Sequence, residues 1–508
     1  MSSHGERGAS ASRRVVTVAN VVLQLGIVTA YLLVALAVGL LAYRVTDRTA
    51  EDYYLASRTF GTVVLLFTTF ATLLSAFTFF GGPNISAKAG PEWILVMGMM
   101  DGIIFAVLWY VIGYKQWLLG QREGYLTLGE MLGDRFGSTR LRILVAAVSI
   151  FWLFPYVMLQ QQGAGTALVA LTEGAVPYWV GAGGITLFMI VYVTLAGMRG
   201  VAWTDTLQGL FMLVMVWGAF VWVLAAVGGP TAATSTLAGT NPEFLTLGGG
   251  LYSPQYVIST AVSIAFGVAM FPQVNQRFFV AESKTVLKRT FALWPVLVIL
   301  LFVPAFMLGA WAAGYGISPA DGNVLPLLLN EFTPGWFAAL VVAGAMAAMM
   351  SSSDSMLLSG SSYLTQDIYR QVVSTATQRR EDLLGRVGVT LFAVLTFIAS
   401  LFQPGTLVEI GDTAFGGFAQ LTLPVIVALY WTGTTRTGML AGVLGSQVFY
   451  LASVFLPIVP STYLGGWSAS VIGMVLGLVL TVGVSLFTAR APEEDLTRFS
   501  DLQTADTE

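Results

Sequence analysis

Cysteine is absent from the 508 residues, which removes disulfides, haem-thiolate ligation and thiol nucleophiles at once. Histidine occurs once, as His4 in a polar N-terminal tail. A histidine metal site, a Ser-His-Asp triad and a histidine general base are therefore excluded from the apolar part of the chain. No P-loop is present, so ATP does not power the protein directly. Aspartate-rich DDxxD pairs, which a membrane prenyltransferase needs for magnesium pyrophosphate, are missing too. Charge is scarce: only 10% of residues are Asp, Glu, Lys or Arg, against about 25% in a soluble protein. These absences argue against an enzyme. The pI near 5.4 reflects few bases and acidic tails, so no nucleic-acid partner is implied.

What is present is hydrocarbon. Hydrophobic residues make up 56% of the chain and mean hydropathy is +0.77. Apolar stretches of about 18 residues or more fall near 24–43, 60–82, 93–113, 142–160, 176–197, 205–227, 253–275, 290–314, 335–362, 387–403, 409–431, 437–457 and 463–488. The expected fold is all-α and polytopic, with about thirteen transmembrane helices in a bilayer. Of the 24 Lys and Arg, all but Arg7, Arg13, Arg14 and Lys88 lie in alternate segments on one side. By the positive-inside rule this places the N-terminus outside and the C-terminus in the cytoplasm. Arg277 is counted here with Lys284, Lys288 and Arg289 as a cytoplasmic loop base. The domain reading is a polar tail over 1–18, a transmembrane domain over 19–490, and an acidic, disordered tail over 491–508.

One apolar span carries an unexpected stripe. Gly344 to Tyr369 reads GAMAAMMSSSDSMLLSGSSYLTQDIY. Ala348, Ser352, Ser355, Ser359 and Ser362 recur at helical spacing and share one face. Ser351 sits beside that face and Asp354 lies further round. Hydroxyls and small residues also serve as packing glue between membrane helices. Asp354 has no Lys or Arg within fifteen residues in sequence, so it is protonated, ion-bound or in an aqueous cavity. A charge at mid-membrane costs roughly 2.5–3.5 kcal/mol on insertion scales. Of the remaining carboxylates, Asp205 begins the sixth span, while Glu92, Asp101 and Asp412 fall near external ends.

Transporters place substrate where helices are interrupted near the bilayer midplane, and two spans fit. The second contains LLSAFTFFGGPN, with breaks expected at Gly81 and Gly82. The seventh contains AFGVAMFPQVNQRFF, with breaks expected at Gly267 and Pro272. Proline removes a backbone donor and clashes with the preceding turn, freeing carbonyls for a cation or solute. These spans lie five apart, which suits two five-helix repeats over approximately 60–227 and 253–431.

Three ordered segments carry a resemblance. YYLASRTFG precedes span two; VTLAGMRGVAWTDTLQG leads into span six; the seryl helix is the third. Together they resemble the sodium/solute symporter family, which includes proline, pantothenate, sugar, sialic-acid and monocarboxylate carriers. The likeness extends over roughly residues 25–460. It implies a five-plus-five inverted-repeat core of the leucine-transporter type in the cell membrane. It implies Na+ as coupling ion, no organic cofactor, and import of a small organic solute by alternating access. An uncoupled facilitator or channel, or a proton-coupled carrier of the same fold, is the alternative. Carried over, the sodium ligands are the carbonyls of Ala71, Leu74 and Ala348 and the hydroxyls of Ser351 and Ser352. A second cation or proton site falls on Asp205, Asp354 and Ser355. The Asp-Met-Ser-Gly-Trp of the proline carriers is replaced by Leu73, Leu74, Ser75, Ala76 and Phe77, which argues against proline transport of that type. The expected solute pocket comprises Ser75, Phe79, Gln161, Met270, Phe271 and Gln273. No Lys or Arg is expected at mid-membrane. The solute falls in the monocarboxylate, amino-acid, vitamin or sugar class.

Overall fold

The computed structural model describes residues 18–43, 56–373, 377–489 and Phe499. Almost all of both polar tails and residues 44–55 lie outside these, as do the side chains of Asp101 and Arg199. The chain is helical almost throughout. Its long helices are α1 (Val18–Tyr43), α2 (Thr62–Leu73), α3 (Phe77–Ala89), α4 (Leu95–Glu123), α5 (Thr139–Leu171), α6 (Tyr178–Val227) and α7 (Pro254–Ala269). They continue with α8 (Pro272–Phe279), α9 (Lys284–Gly314), α10 (Gly335–Ser362), α11 (Gln378–Ser400), α12 (Leu407–Tyr430), α13 (Arg436–Phe455) and α14 (Ala469–Leu486). Among the described residues, ten helical segments are long and apolar enough to cross a membrane, or up to twelve if each of two bent pairs counts as one. The apolar stretch Tyr178–Thr194 is shorter.

Outer faces are as apolar as the core. Val214, Val221, Leu395, Val448 and Val479 are exposed, as expected where the solvent is lipid and every backbone group must be satisfied within the helix. The seryl segment, α10 with its continuation to Val372, is the most enclosed, with 83% of its apolar window buried against 17% for α1. It packs on α6, α1, α5, α2 and α8, so the stripe faces protein on every side.

The helical pattern of α6 runs unbroken for 50 residues, about 75 Å if straight at 1.5 Å per residue. It is not straight. The Tyr192 hydroxyl donates to Gly200 O at 2.9 Å and lies 2.5 Å from Thr204 Oγ1. Side chains lean toward a helix N-terminus, so Tyr192 can reach residues eight and twelve positions later only if the chain folds back between them. The expected fifth and sixth spans thus fall on two helical segments, Tyr178–Thr194 and Gly200–Val227, with the chain folding back between them.

Two helix pairs are bent at short breaks, α2/α3 by 61° and α7/α8 by 55°. The first break lies at Leu74 and Ser75, where Leu74 is extended (φ −79°, ψ 127°). It does not lie at Gly81 and Gly82, which are helical, with φ of −59° and −61°. Those glycines serve packing instead. A Cβ on Gly82 would stand 2.0 Å from the Phe306 ring, and one on Gly309 would stand 2.4 Å from Pro83 O. The second break lies at Met270 and Phe271. Pro272 starts α8, where its missing N–H costs nothing. Gly267 remains inside α7, and a Cβ there would meet Phe415 O at 2.2 Å, so it lets α12 approach. Outside the breaks, Phe60 N donates to Val280 O (3.2 Å) and Glu282 N to Phe60 O (3.1 Å). This tie joins the start of α2 to the end of α8.

Phe499 corrects the expectation of a wholly disordered tail. It is buried, with its ring 5.5 Å from Arg135 Cζ, a distance at which a guanidinium is attracted to an aromatic face.

Candidate ion and solute site

A helix end leaves its last carbonyls without amide partners. At the end of α2, Phe70 O is used by Leu74 N at 3.1 Å. The next acceptors are served from α10. Ser351 Oγ donates to Ala71 O (2.7 Å) and to Ala348 O (3.0 Å). Ser352 Oγ donates to Leu74 O (2.7 Å) and to Thr72 O (2.9 Å). All five residues expected to form the sodium site therefore meet at one point, and Ser351 and Ser352 are buried. Only oxygens face each other there. Hard cations take oxygen ligands, and these carry no formal charge. Among the described residues, no group of three or more His, Cys, Asp or Glu could hold a metal ion.

One turn along α10, the second expected site looks different. Asp205 on α6 is buried and accepts from Thr68 Oγ1 at 2.6 Å and Thr72 Oγ1 at 3.3 Å. Arg277, fully buried on α8, lies 3.2 Å from Asp205 Oδ2. Its Nη2 also donates to Ser355 Oγ at 2.6 Å. The expectation that Arg277 is a loop base, and that no arginine lies in the interior, is thus corrected. Position counts could not reveal this, because α8 continues inward past the break. Among the described residues, the Asp354 side chain makes no hydrogen bond to the Asp205–Ser355 cluster. It is buried, and its Oδ1 meets no hydrogen-bond partner among the described residues.

The expected solute residues divide. Ser75 Oγ is 3.0 Å from the Tyr156 hydroxyl. Tyr156 lies against Phe271 and Phe415, with ring centroids 5.0 and 5.3 Å away. Phe271 is stacked on Phe415 and meets Phe418 edge-on. Phe79 and Met270 are buried near the two breaks. Gln273, beside Pro272, is buried with neither amide atom hydrogen-bonded among the described residues. Gln161 does not belong to this group. Its Nε2 donates to Thr186 Oγ1 (3.0 Å) and Ala393 O (2.9 Å), on α6 and α11. Its neighbour Gln160 supplies the contact instead, accepting from Ala76 N at 2.9 Å. Successive helical residues are about 100° apart, so the triplet Gln160–Gln162 addresses three different neighbours. Tyr156, Gln160, Phe415 and Phe418 escaped the sequence reading. The Gln triplet in an apolar span was the available signal for the first two. At the far end of the stripe, Gln276 Nε2 donates to Ser362 Oγ at 3.0 Å, and Ser359 Oγ donates within its own helix, to Met356 O.

Two broken helices inside an apolar bundle, one of them offering its backbone oxygens to buried hydroxyls, are the arrangement expected of a secondary membrane carrier. Residues 53–445 match the model of the sodium:solute symporter family. The chain belongs to that family, and its activity is sodium-coupled symport of small solutes. It is 29% identical to the sodium/pantothenate symporter of Escherichia coli strain K12 over 86% of this chain and 93% of that one. It is 27% identical to the sodium/proline symporter of Haemophilus influenzae, covering 84% and 86%. A solved structure of a Na+-coupled sialic acid symporter, substrate-bound and outward-open, shares the fold. Its TM-score is 0.78 at 20% identity, over 92% of this chain and 98% of that one.

Proposed function

We propose that this chain imports a small organic solute with Na+ by alternating access, and that it is a carrier rather than an enzyme. It does so through thirteen crossings of the cell membrane around a five-plus-five inverted repeat of the leucine-transporter type. The N-terminus is outside and the C-terminus cytoplasmic. Similar bends at α2/α3 and α7/α8, each opening one repeat, support that symmetry. The basic residues gathered on one side support the orientation.

The observation that carries the sodium assignment is the capture of Ala71, Thr72 and Leu74 carbonyls by Ser351 and Ser352. In this reading the ion takes the place of the hydroxyl hydrogens. The carbonyls of Ala71, Leu74 and Ala348 and both hydroxyl oxygens then turn their lone pairs to it. Because α2 and α10 each supply part of the shell, ion binding favours the arrangement that holds them together. Sodium entry supplies about 2.3 kcal/mol per charge per 100 mV, plus its concentration term.

The solute binds between the two breaks. Tyr156, Phe271 and Phe415 offer an apolar wall, and Ser75 and Gln273 offer polar ends. That combination suits a compact solute with an apolar body and an acid, amide or hydroxyl group, within the acid, amino-acid, vitamin and sugar range. Of the expected second site at Asp205, Asp354 and Ser355, Asp354 favours a second reading, in which a proton on its carboxylate rather than a second Na+ takes part in coupling. A buried carboxylate whose Oδ1 has no hydrogen-bond partner among the described residues gains from either.

The test has two stages. A thermal-shift screen against small acids, amino acids and sugars, with Na+ or choline, identifies a solute that stabilises only with sodium. Counterflow in proteoliposomes then follows that solute. A carrier accumulates and exchanges it in a sodium-dependent manner, whereas a channel does neither. The variant Ser351→Ala with Ser352→Ala should lose sodium-driven uptake while still reaching the membrane.

A further inference from the structure

We propose that Arg277 is a tethered cation that fills the second cation position, so that Na+ binds this chain only at Ser351 and Ser352. The inference rests on the sodium reading above and adds the number of ions.

One nitrogen of Arg277 stands at the centre of a shell of four oxygens. Nη2 lies 2.6 Å from Ser355 Oγ, 2.7 Å from Thr72 Oγ1, 3.2 Å from Asp205 Oδ2 and 3.3 Å from Thr68 Oγ1. These come from three helices, α10, α2 and α6. A terminal guanidinium nitrogen carries two hydrogens, fewer than the oxygens converging on it. The rest of the guanidinium is poorly served. Nη1 reaches only Gln273 O at 3.3 Å, and Nε has no partner among the described residues. Asp205 offers one oxygen, while its Oδ1 is unpartnered there.

An arginine and a carboxylate matched to each other form a parallel fork with both oxygens engaged. This pair does not. The oxygens are arranged around a point, as for a small ion, and the protein has placed its own positive group at that point.

Electrostatics argue for single occupancy. Asp205 and Arg277 side chains are 1% and 0% exposed, so each charge depends on the other. A sodium ion added to the same shell would face the guanidinium at contact distance in a medium that screens poorly. Thr72 links the two sites, since its carbonyl accepts from Ser352 while its hydroxyl serves Arg277. Arg277 is carried on α8, whose first residues border the solute site. The tethered cation therefore moves with that half-helix and is never released.

Binding of radiosodium to the purified full-length chain, with choline as the balancing cation, tests this without knowledge of the solute. The wild type should bind one Na+ per chain. Arg277→Gln leaves Asp205 facing an empty shell and should bind two. Arg277→Lys keeps a tethered charge and should bind one, as should Asp205→Asn with Arg277→Gln, which removes both charges. Two ions on the wild type, or one on a folded Arg277→Gln, would overturn the proposal. If Arg277→Gln does not fold, the wild-type count and Arg277→Lys decide it. No saturable binding to the wild type would instead reject the underlying sodium reading.

Discussion

Replacing Ser352 by alanine separates an ion ligand from packing glue, because the two roles change sodium affinity differently. Ser352 Oγ lies 2.7 Å from Leu74 O and 2.9 Å from Thr72 O. Its single hydrogen serves one of them at a time. Alanine leaves that buried carbonyl unpaired, at a cost of about 1–3 kcal/mol, so the sodium-free variant is less stable. In the bound state the variant loses one oxygen from the ion. On the scale of hydrogen bonds to charged groups this is about 1.5–3 kcal/mol. The two effects oppose each other in the affinity, since the ion relieves the orphaned carbonyl. Taking about 1 kcal/mol for that relief, the net loss is about 0.5–2 kcal/mol. Sodium affinity should then fall roughly two- to thirtyfold. Radiosodium titration of purified protein reads the affinity, and thermal unfolding in choline reads the stability. Ser352→Thr keeps the oxygen and should restore both. If Ser352→Ala lowers stability but leaves sodium affinity equal or tighter, the hydroxyl is only glue and the ion assignment is wrong.

Gly267→Ala drives a Cβ to 2.2 Å from Phe415 O. Backbone cannot yield cheaply, so an overpacking cost of about 1–3 kcal/mol should lower the unfolding temperature, and displacement of Phe415 from Phe271 should raise the solute KM. Gln273→Ala should raise the KM without lowering stability, because its amide has no protein partner to lose among the described residues. Gln161→Ala should do the reverse, since its amide holds α5 to α6 and α11. Asp354→Asn should flatten the pH dependence of sodium-driven uptake. Identical sodium-activation curves for Asp354→Asn and wild type at every pH would remove Asp354 from the coupling machinery.

Legibility followed periodicity and failed where contacts are distant. Hydrophobic length located the long apolar helices, ten of them among the described residues and up to twelve with the two bent pairs, because a bilayer of fixed thickness imposes that length. The stripe on α10 was visible because helical spacing gathers residues 348, 352 and 355 without knowledge of the neighbours. The first break was misplaced. GGP resembles a breaker locally, but at Gly82 the missing side chain makes room for Phe306, on a helix more than 200 residues away. The actual break, at Leu74 and Ser75, contains neither glycine nor proline. It is stabilised from outside by Ser351, Ser352 and Gln160, which satisfy the exposed backbone groups. A local code has no means of expressing a turn whose hydrogen bonds are supplied by other helices.

Arg277 shows the same limit for charge. Counting bases by loop assumes that a basic residue beyond an apolar run has reached water. Here the run is interrupted at Met270 and Phe271, and the chain re-enters a buried helix before emerging, so Arg277 is fully enclosed. The same segment holds Gln273, Asn275 and Gln276, all buried. Four polar residues within five positions without exposure are intolerable in lipid and tolerable only around an internal polar path. The polar burst after Pro272 therefore belongs with the seryl stripe as one feature. The stripe supplies oxygens from α10, and the burst supplies an amide at Ser362 and a guanidinium at Ser355. Because α8 and α10 meet through these bonds, any motion of the half-helix must break them or carry α10 along. An ion bound at the proposed Ser351–Ser352 site would then decide which of the two occurs.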